Sequence, residues 1–176
     1  MRGIRRIIQD ETEPGFCTRP AFVEGVRLLE RFGWSFDICI FGHQMADAIQ
    51  LVDLCPDVSF VLDHIGKPPI RDGRMEPWRR RMFALAERPN VMCKLSGVAT
   101  EADHASWKPE DLRRYMDVAL EAFGPNRLMF GSDWPVATEA IAARSWLDLV
   151  DEALSDLTLD EQRSVFAGTA ERFYRL

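Results

Sequence analysis

Arg127–Val136 reads RLMFGSDWPV, and the fold prediction is built outward from this stretch. It opens on a short apolar run, Leu128–Phe130, which is typical of a strand buried on both faces of a parallel sheet. Gly131 permits a turn, and Pro135 cannot continue a strand because it lacks the amide donor. Asp133 therefore follows a buried strand directly, where α/β proteins place their sites. The alternative is that its carboxylate only caps the next turn.

Four earlier stretches predict further strands, and a helix is predicted after each. The strands are Arg2–Ile8, Phe36–Phe41, Val58–Ile65 and Val91–Leu95. Later helices are predicted at Pro77–Glu87, Thr138–Leu154 and Leu159–Tyr174, the last opened by a capping-box pattern. Regular alternation of strand and helix, without a hairpin signal, indicates parallel pairing. We therefore predict an α/β fold in which residues 1–176 form a single domain.

The composition of the chain argues against nucleic acids and membranes as binding partners. The chain has 176 residues, of which 47% are hydrophobic and 28% charged, and its formal net charge is −6. An acidic chain is a poor match for nucleic acid, and no apolar run approaches the length of a membrane span. The four cysteines form no CxxC pair, which favours reduced core thiols in a cytoplasmic protein. They are Cys17, Cys39, Cys55 and Cys93.

Polar side chains follow three of the predicted strands, in the pairs Gly42-His43, Asp63-His64 and Ser132-Asp133. Lys94-Leu95-Ser96 is a fourth polar group in an otherwise apolar strand. A lone histidine in such a place is often only a hydrogen-bonded structural residue. A His and an Asp facing one cleft, however, are sufficient to activate water, with or without a metal. Asp63 is expected to be structural, since neighbours on a strand alternate sides.

Other residues have two interpretations each. Arg5 and Arg6 are either an edge-strand charge pair or include a guanidinium that holds a substrate carboxylate or hydroxyl. Trp134 either fills the rim of the sheet or forms an apolar wall for a ring-shaped ligand. Lys67 is interpreted as a loop charge in preference to a substrate contact, and His104 as a surface residue.

Several motifs together resemble the amidohydrolase-related lactonases of the amidohydrolase superfamily. They are FVLDHIGKPPI at 60–70, NVMCKLSG at 90–97, the TEADH loop at 100–104 with its following Trp, and RLMFGSDWPV at 127–136. That family includes sugar lactonases acting on L-fucono- and L-rhamnono-lactones and the 2-pyrone-4,6-dicarboxylate lactonase. The resemblance extends over essentially the whole chain.

The resemblance implies a (β/α)8 TIM barrel in which Asp133 is the general base. His64 would contact the substrate carbonyl or, in other branches, a metal. The matching arginine would be Arg5 or Arg6, and His43 and Trp134 are expected at the substrate. Either no cofactor or one divalent metal such as zinc is implied. In the last helix, Gly168-Thr169-Ala170 has no Asn where the family pattern expects one.

Two features qualify this expectation. A barrel of this type needs about 250 residues, and only five strands are predicted, so the chain is expected to match strands four to eight. The His-x-His pair of the family's first strand does not occur. We therefore predict a hydrolase that acts on a sugar or carboxylate lactone. One alternative is a truncated remnant without catalysis, stable only by pairing with another copy in a homo-oligomer or with a missing partner segment. The other is a metal-dependent decarboxylase of the same superfamily.

Overall fold

The computed structural model describes residues 1–176 and contains one five-stranded sheet. All neighbouring strands are parallel and follow one another in chain order. The strands are β1 (Gly3–Ile7), β2 (Ser35–Cys39), β3 (Phe60–Leu62), β4 (Val91–Leu95) and β5 (Leu128–Phe130). The α/β prediction with five parallel strands is confirmed. The carboxyl ends of all five strands meet at one edge of the sheet, called here the carboxyl edge.

Helices connect the strands and follow the last one. They are α1 (Pro20–Arg31), α2 (Met45–Leu54), α3 (Trp78–Ala86), α4 (Pro109–Phe123), α5 (Ala143–Ala153), α6 (Leu159–Arg163) and α7 (Thr169–Tyr174). Proline stands in the first turn of α1 and α4, where its missing N–H costs no helical hydrogen bond. The predicted capping box is present at α6, where Thr158 and Glu161 exchange hydrogen bonds.

Two predicted strand ends were wrong at the carboxyl edge. The strand predicted over Val58–Ile65 is only Phe60–Leu62, because His64 (φ 54°) and Ile65 (φ 47°) are left-handed and cannot continue it. The strand predicted to reach Phe41 ends at Cys39, since a 3₁₀ turn begins at Gly42.

The two closing helices also differ from the prediction. The first begins at Ala143 and not at Thr138, which lies in a separate 3₁₀ turn, Val136–Glu139. The second is divided by a π-helical turn, Ser164–Gly168, between α6 and α7. The apolar periodicity of the sequence predicts that this region is helical, but it does not predict where the π-helical turn occurs.

The two faces of the sheet have different composition. Phe36 on the outer face packs edge-on against Phe22 of α1, at 5.9 Å between ring centroids. This face contributes to a cluster of 42 buried apolar residues shared with the helices. The register pairs Arg5 with Asp37 and Lys94 with Met129, so these residues share the inner face. Charged side chains are therefore concentrated on one side of the sheet.

The outer strands β1 and β5 each have a strand neighbour on one side only. All four cysteines are buried and unpaired. Among the helices, none combines the length and the apolar character needed to cross a bilayer.

Candidate active site

His64 lies directly after β3, in a turn that directs its ring into the carboxyl edge. The residue is buried, with 8% of its surface exposed. Its Nδ1 lies 2.8 Å from the Oγ of Ser96, which follows the neighbouring strand β4. The left-handed backbone of His64 and Ile65 is unusual for residues other than glycine. It allows the ring to turn toward β4 where a regular strand would direct it elsewhere.

Asp133 approaches the same ring from the end of β5. Its Oδ1 lies 3.7 Å from His64 Nε2, and its backbone is also left-handed, with φ 53°. The other carboxylate oxygen, Oδ2, is buried and has no hydrogen-bond partner. An unpartnered buried carboxylate oxygen is costly to maintain. This atom is therefore available to a ligand.

Gly97 allows the side chains of His64 and Asp133 to lie close to the backbone at residue 97. A Cβ at this position would lie 2.6 Å from Asp133 Oδ2 and 2.9 Å from His64 Nδ1, and the residue has φ +58°. Both the space and the backbone conformation therefore require glycine. We call Ser96, Gly97, His64 and Asp133 the rim cluster.

The electrostatic environment keeps the imidazole of His64 neutral. Burial lowers the pKa of His64 to about 4, although the Asp133 carboxylate acts in the opposite direction. Lys67, Lys94 and Arg5 act in the same direction as burial and contribute to this lowered pKa. At neutral pH the ring is thus uncharged and offers one N–H donor and one lone pair.

Beneath the rim cluster, the inner face carries a second group of charges, called here the inner charge layer. It consists of Arg5, Asp37, Asp63 and Lys94. Lys94 Nζ lies 2.7 Å from Asp37 Oδ2 and 2.8 Å from Asp63 Oδ1, while Arg5 reaches Asp63 Oδ2 at 3.4 Å. Tyr174 of α7 donates a hydrogen bond to Asp37 Oδ2 at 2.8 Å.

These contacts balance the charges of the layer. Burial lowers the pKa of Lys94, but the attraction of Asp63 and Asp37 outweighs it and leaves the pKa above its ordinary value. Asp63 is completely buried, which matches its predicted structural role.

The structure distinguishes the two candidate arginines. Arg5 faces the inner side of the sheet and contacts Asp63, with half of its side chain exposed. Arg6 faces the other side, where it pairs with Glu11 and lies over the ring of Phe16. Only Arg5 is therefore placed on the face that carries the rim cluster.

The other predicted substrate contacts lie farther out. His43 stacks on Phe41 in the turn after β2 and lines a cavity of about 260 Å³ that also includes Gln44 and Asp47. Trp134 follows Asp133 directly and is 70% exposed. Neither side chain forms a hydrogen bond or ion pair with His64 or Asp133, and both residues lie at the carboxyl edge. His104 is exposed, as predicted, and its Nε2 lies 3.1 Å from the carbonyl oxygen of Thr100.

Lys67 lies in the loop after β3 and its charge is paired. Its side chain is only 11% exposed, and its Nζ lies 2.5 Å from Glu101 and donates to Thr100 Oγ1 at 3.0 Å. This pair joins the loop after β3 to the loop after β4. The sequence did not indicate it, because the partner lies in a different loop.

Ser96 and Gly97 were not assigned a role in the site from sequence. The available signal was their place at the carboxyl end of β4, next to the strand that delivers His64. The left-handed turn at His64, which brings the ring to β4, could not be predicted from the sequence.

The rim cluster can be tested for its fit to a divalent metal. Asp133 Oδ2 is a buried oxygen without a partner, and an imidazole with a carboxylate is a donor pair that zinc accepts. His64 also lies near Cys39 and Asp63, with all three ligand atoms within 4.8 Å of one another. Asp63 is already engaged by Lys94, and burial raises the pKa of the Cys39 thiol to about 11. His64 and Asp133 are the better fitting pair.

Comparisons with known proteins identify relatives of this chain. An L-fucono-1,5-lactonase from Burkholderia multivorans is 39% identical over 188 residues, covering 100% of this chain and 63% of the relative. An amidohydrolase from the same species, crystallised with bound zinc, superimposes with a TM-score of 0.95 at 37% identity. The match covers 100% of this chain and 65% of that structure.

A putative 2-pyrone-4,6-dicarboxylic acid hydrolase from Pseudomonas putida has a TM-score of 0.78 at 23% identity, over 99% of this chain and 63% of that chain, and shows a shared fold. The present chain thus spans about 63% of the length of its curated relative. Its five strands form part of a TIM barrel. The amidohydrolase family profile matches residues 1–176. The chain belongs to the amidohydrolase family.

Proposed function

We propose that this chain carries the reacting groups of a lactone hydrolase. The observation that carries the proposal is the buried, unpartnered Oδ2 of Asp133 beside a neutral His64. Lactone hydrolysis needs one base for water and one group that polarises the carbonyl. These two side chains supply both functions without a nucleophilic serine or cysteine.

In the proposed reaction, Asp133 accepts a proton as water attacks the lactone carbonyl carbon. The carbonyl oxygen gains negative charge, which a hydrogen bond from His64 stabilises. The ring C–O bond then breaks, and Asp133 returns its proton to the departing ring oxygen. The product is an open-chain hydroxy acid.

The surrounding residues support a polar ring-shaped substrate. Arg5 uses one nitrogen on Asp63 and is half exposed, so its remaining N–H groups can contact a substrate hydroxyl or carboxylate. Trp134 and His43 offer ring faces at the carboxyl edge. Arg6 is left out of the proposal because it lies on the other side of the sheet.

A divalent metal such as zinc fits this proposal without being required by it. His64 and Asp133 would hold the ion, and the ion would supply Lewis-acid polarisation of the carbonyl. Decarboxylation by the same family receives no specific support from the geometry of the rim cluster.

We also propose that residues 1–176 act as one domain, since a single apolar cluster extends from Ile8 to Val165. A cytoplasmic location, the lack of a nucleic-acid or membrane partner, and assembly with a second copy remain predictions from composition and from the open strand edges.

The test is an assay of the 176-residue chain on L-fucono-1,5-lactone, with acid release followed by a pH indicator above the spontaneous rate. We expect hydrolysis that falls about 10²- to 10⁴-fold in Asp133→Asn, the usual contribution of a general base. Asp151→Asn changes an exposed carboxylate to the same amide and should keep the wild-type rate. Equal rates in wild type and Asp133→Asn, or no hydrolysis by the chain, would contradict the proposal and favour the remnant alternative.

A further inference from the structure

The hydroxyl group of Ser96 has one hydrogen-bond partner, the Nδ1 of His64 at 2.8 Å. Ser96 is 1% exposed, so bulk solvent does not provide a second partner. If Nδ1 carried the proton, it would donate to Ser96, and the hydroxyl proton would be buried without an acceptor. If the hydroxyl donates to Nδ1, both groups are satisfied.

Packing holds Ser96 in this position from the opposite side. A Cβ on Gly131 of the neighbouring strand end would lie 3.0 Å from the Ser96 Cβ. Ser96 is thus enclosed between the backbone of residue 131 and the imidazole. Its hydroxyl has little freedom to turn elsewhere.

The other ring nitrogen favours the same arrangement. His64 Nε2 lies 3.7 Å from Asp133 Oδ1, a negatively charged oxygen. A protonated Nε2 is attracted to this oxygen, whereas a lone pair on Nε2 would be repelled by it. The contacts at the two ring nitrogens are independent, and both place the proton on Nε2.

We propose that Ser96 is a positioning residue that fixes His64 in the Nε2–H tautomer and aims this N–H into the cleft beside Asp133. The inference deepens the proposed function, because it specifies how His64 would polarise a lactone carbonyl. When no metal is bound, His64 keeps its proton throughout and donates a hydrogen bond from Nε2 to the carbonyl oxygen. Asp133 alone accepts the proton of the attacking water.

The tautomer can be measured without any substrate. The chain has only three histidines, at positions 43, 64 and 104, so long-range ¹H–¹⁵N correlation spectra of the ¹⁵N-labelled full chain are simple. Spectra of His43→Gln and His104→Gln assign the His64 signals by elimination. In EDTA at neutral pH, we expect a pyrrole-type Nε2 and a pyridine-type Nδ1 for His64. The reverse pattern would overturn the proposal.

Ser96→Ala tests whether the hydroxyl is the cause. We expect the His64 signals to move toward a mixture of tautomers, and kcat for L-fucono-1,5-lactone to fall about 10-fold with little change in KM. Ser35→Ala is the matched control, because Ser35 is also buried on the inner face but its Oγ has no partner. It should leave the His64 signals unchanged. An unchanged tautomer in Ser96→Ala would show that Ser96 does not set it.

This readout separates the two proposals. The Nε2–H tautomer in a chain without hydrolysis would leave the inference intact and reject the proposed function. Hydrolysis by a chain in which His64 is the Nδ1–H tautomer would support the proposed function and reject the inference about Ser96.

Discussion

The rim cluster and the inner charge layer lie next to each other on the same face of the sheet, and their charges are balanced in different ways. In the inner charge layer, Lys94 bridges two carboxylates, and Asp63 also contacts Arg5. In the rim cluster, His64 is neutral and one oxygen of Asp133 has no partner. Asp63 and His64 are consecutive residues, yet they belong to different groups.

This difference indicates a division of roles. A buried charge that is paired with opposite charges is compatible with a stable native state. Removing one partner leaves the remaining charge buried without a counterion, which destabilises the native state. The Asp133 carboxylate has only the neutral His64 beside it and no cation, so it gains no stabilisation from a counterion and is instead available to a ligand. We therefore expect changes in the inner charge layer to affect mainly stability and changes in the rim cluster to affect mainly chemistry.

Lys94→Met should give the largest change in stability. It leaves Asp63 and Asp37 buried with their shared cation removed, and the free energy of unfolding should fall by about 3–5 kcal/mol. Urea unfolding followed by circular dichroism measures this. Arg163→Met removes an exposed pair with Asp160, whose side chains are 77% and 92% exposed, and should change stability by less than about 1 kcal/mol. A loss equally small in Lys94→Met would contradict the assigned role of the layer.

The buried His64 predicts a pH dependence. Its pKa is about 4 in the folded chain and about 6.5 when unfolded, so the unfolded state binds more protons between these values. Stability should therefore decrease as pH falls from 6.5 to about 4, by up to about 1.4 kcal/mol per pH unit from this group.

Replacing the histidine should remove that slope. His64→Gln, unfolded in urea with EDTA present, should lose less stability than wild type across the same pH range. His104→Gln changes an exposed histidine and should follow the wild-type curve. Parallel curves for wild type and His64→Gln would show that the ring is not held neutral by burial.

Gly97→Ala should have a smaller effect on stability together with a loss of activity. The added methyl meets Asp133 and His64 and forces a left-handed alanine, for which we expect a loss of about 1–3 kcal/mol. Gly73→Ala, at φ +66°, has the same kind of backbone strain but meets only the end of Arg114 at 3.5 Å. It should lose about 1 kcal/mol and keep its hydrolysis rate. If Gly97→Ala also keeps the wild-type hydrolysis rate, the rim cluster does not need the space that Gly97 leaves.

The parallel sheet was predictable because its evidence is local. Short apolar runs followed by polar strand ends recur along the chain, and parallel strands bring those ends to one edge. The placement of His64 and Asp133 at that edge followed from the same reasoning. Alternation along β1 showed that Arg5 and Arg6 face opposite sides, but only the helix packing decides which side is inner.

The contacts within the rim cluster were not predictable from the sequence. They depend on left-handed backbone at His64, Ile65 and Asp133, which is uncommon for residues other than glycine and most unusual for the β-branched Ile65. The pairing of Lys67 with Glu101 likewise joins two loops, and no local sequence pattern predicts how these loops lie relative to each other. Residue types at strand ends predicted candidate reacting groups, whereas the tertiary structure determines which atoms they present.

The free energy of unfolding of Asp133→Asn tests the division of roles most directly. Asp133 is an acid whose side chain is only 13% exposed, yet its buried Oδ2 has no partner. We predict that urea unfolding of Asp133→Asn at pH 7 gives a stability within about 1 kcal/mol of wild type, or higher, since a charge without a balancing partner is removed. A loss of about 3 kcal/mol or more, as expected for Lys94→Met, would show that Asp133 belongs to the structural charges and contradict the account.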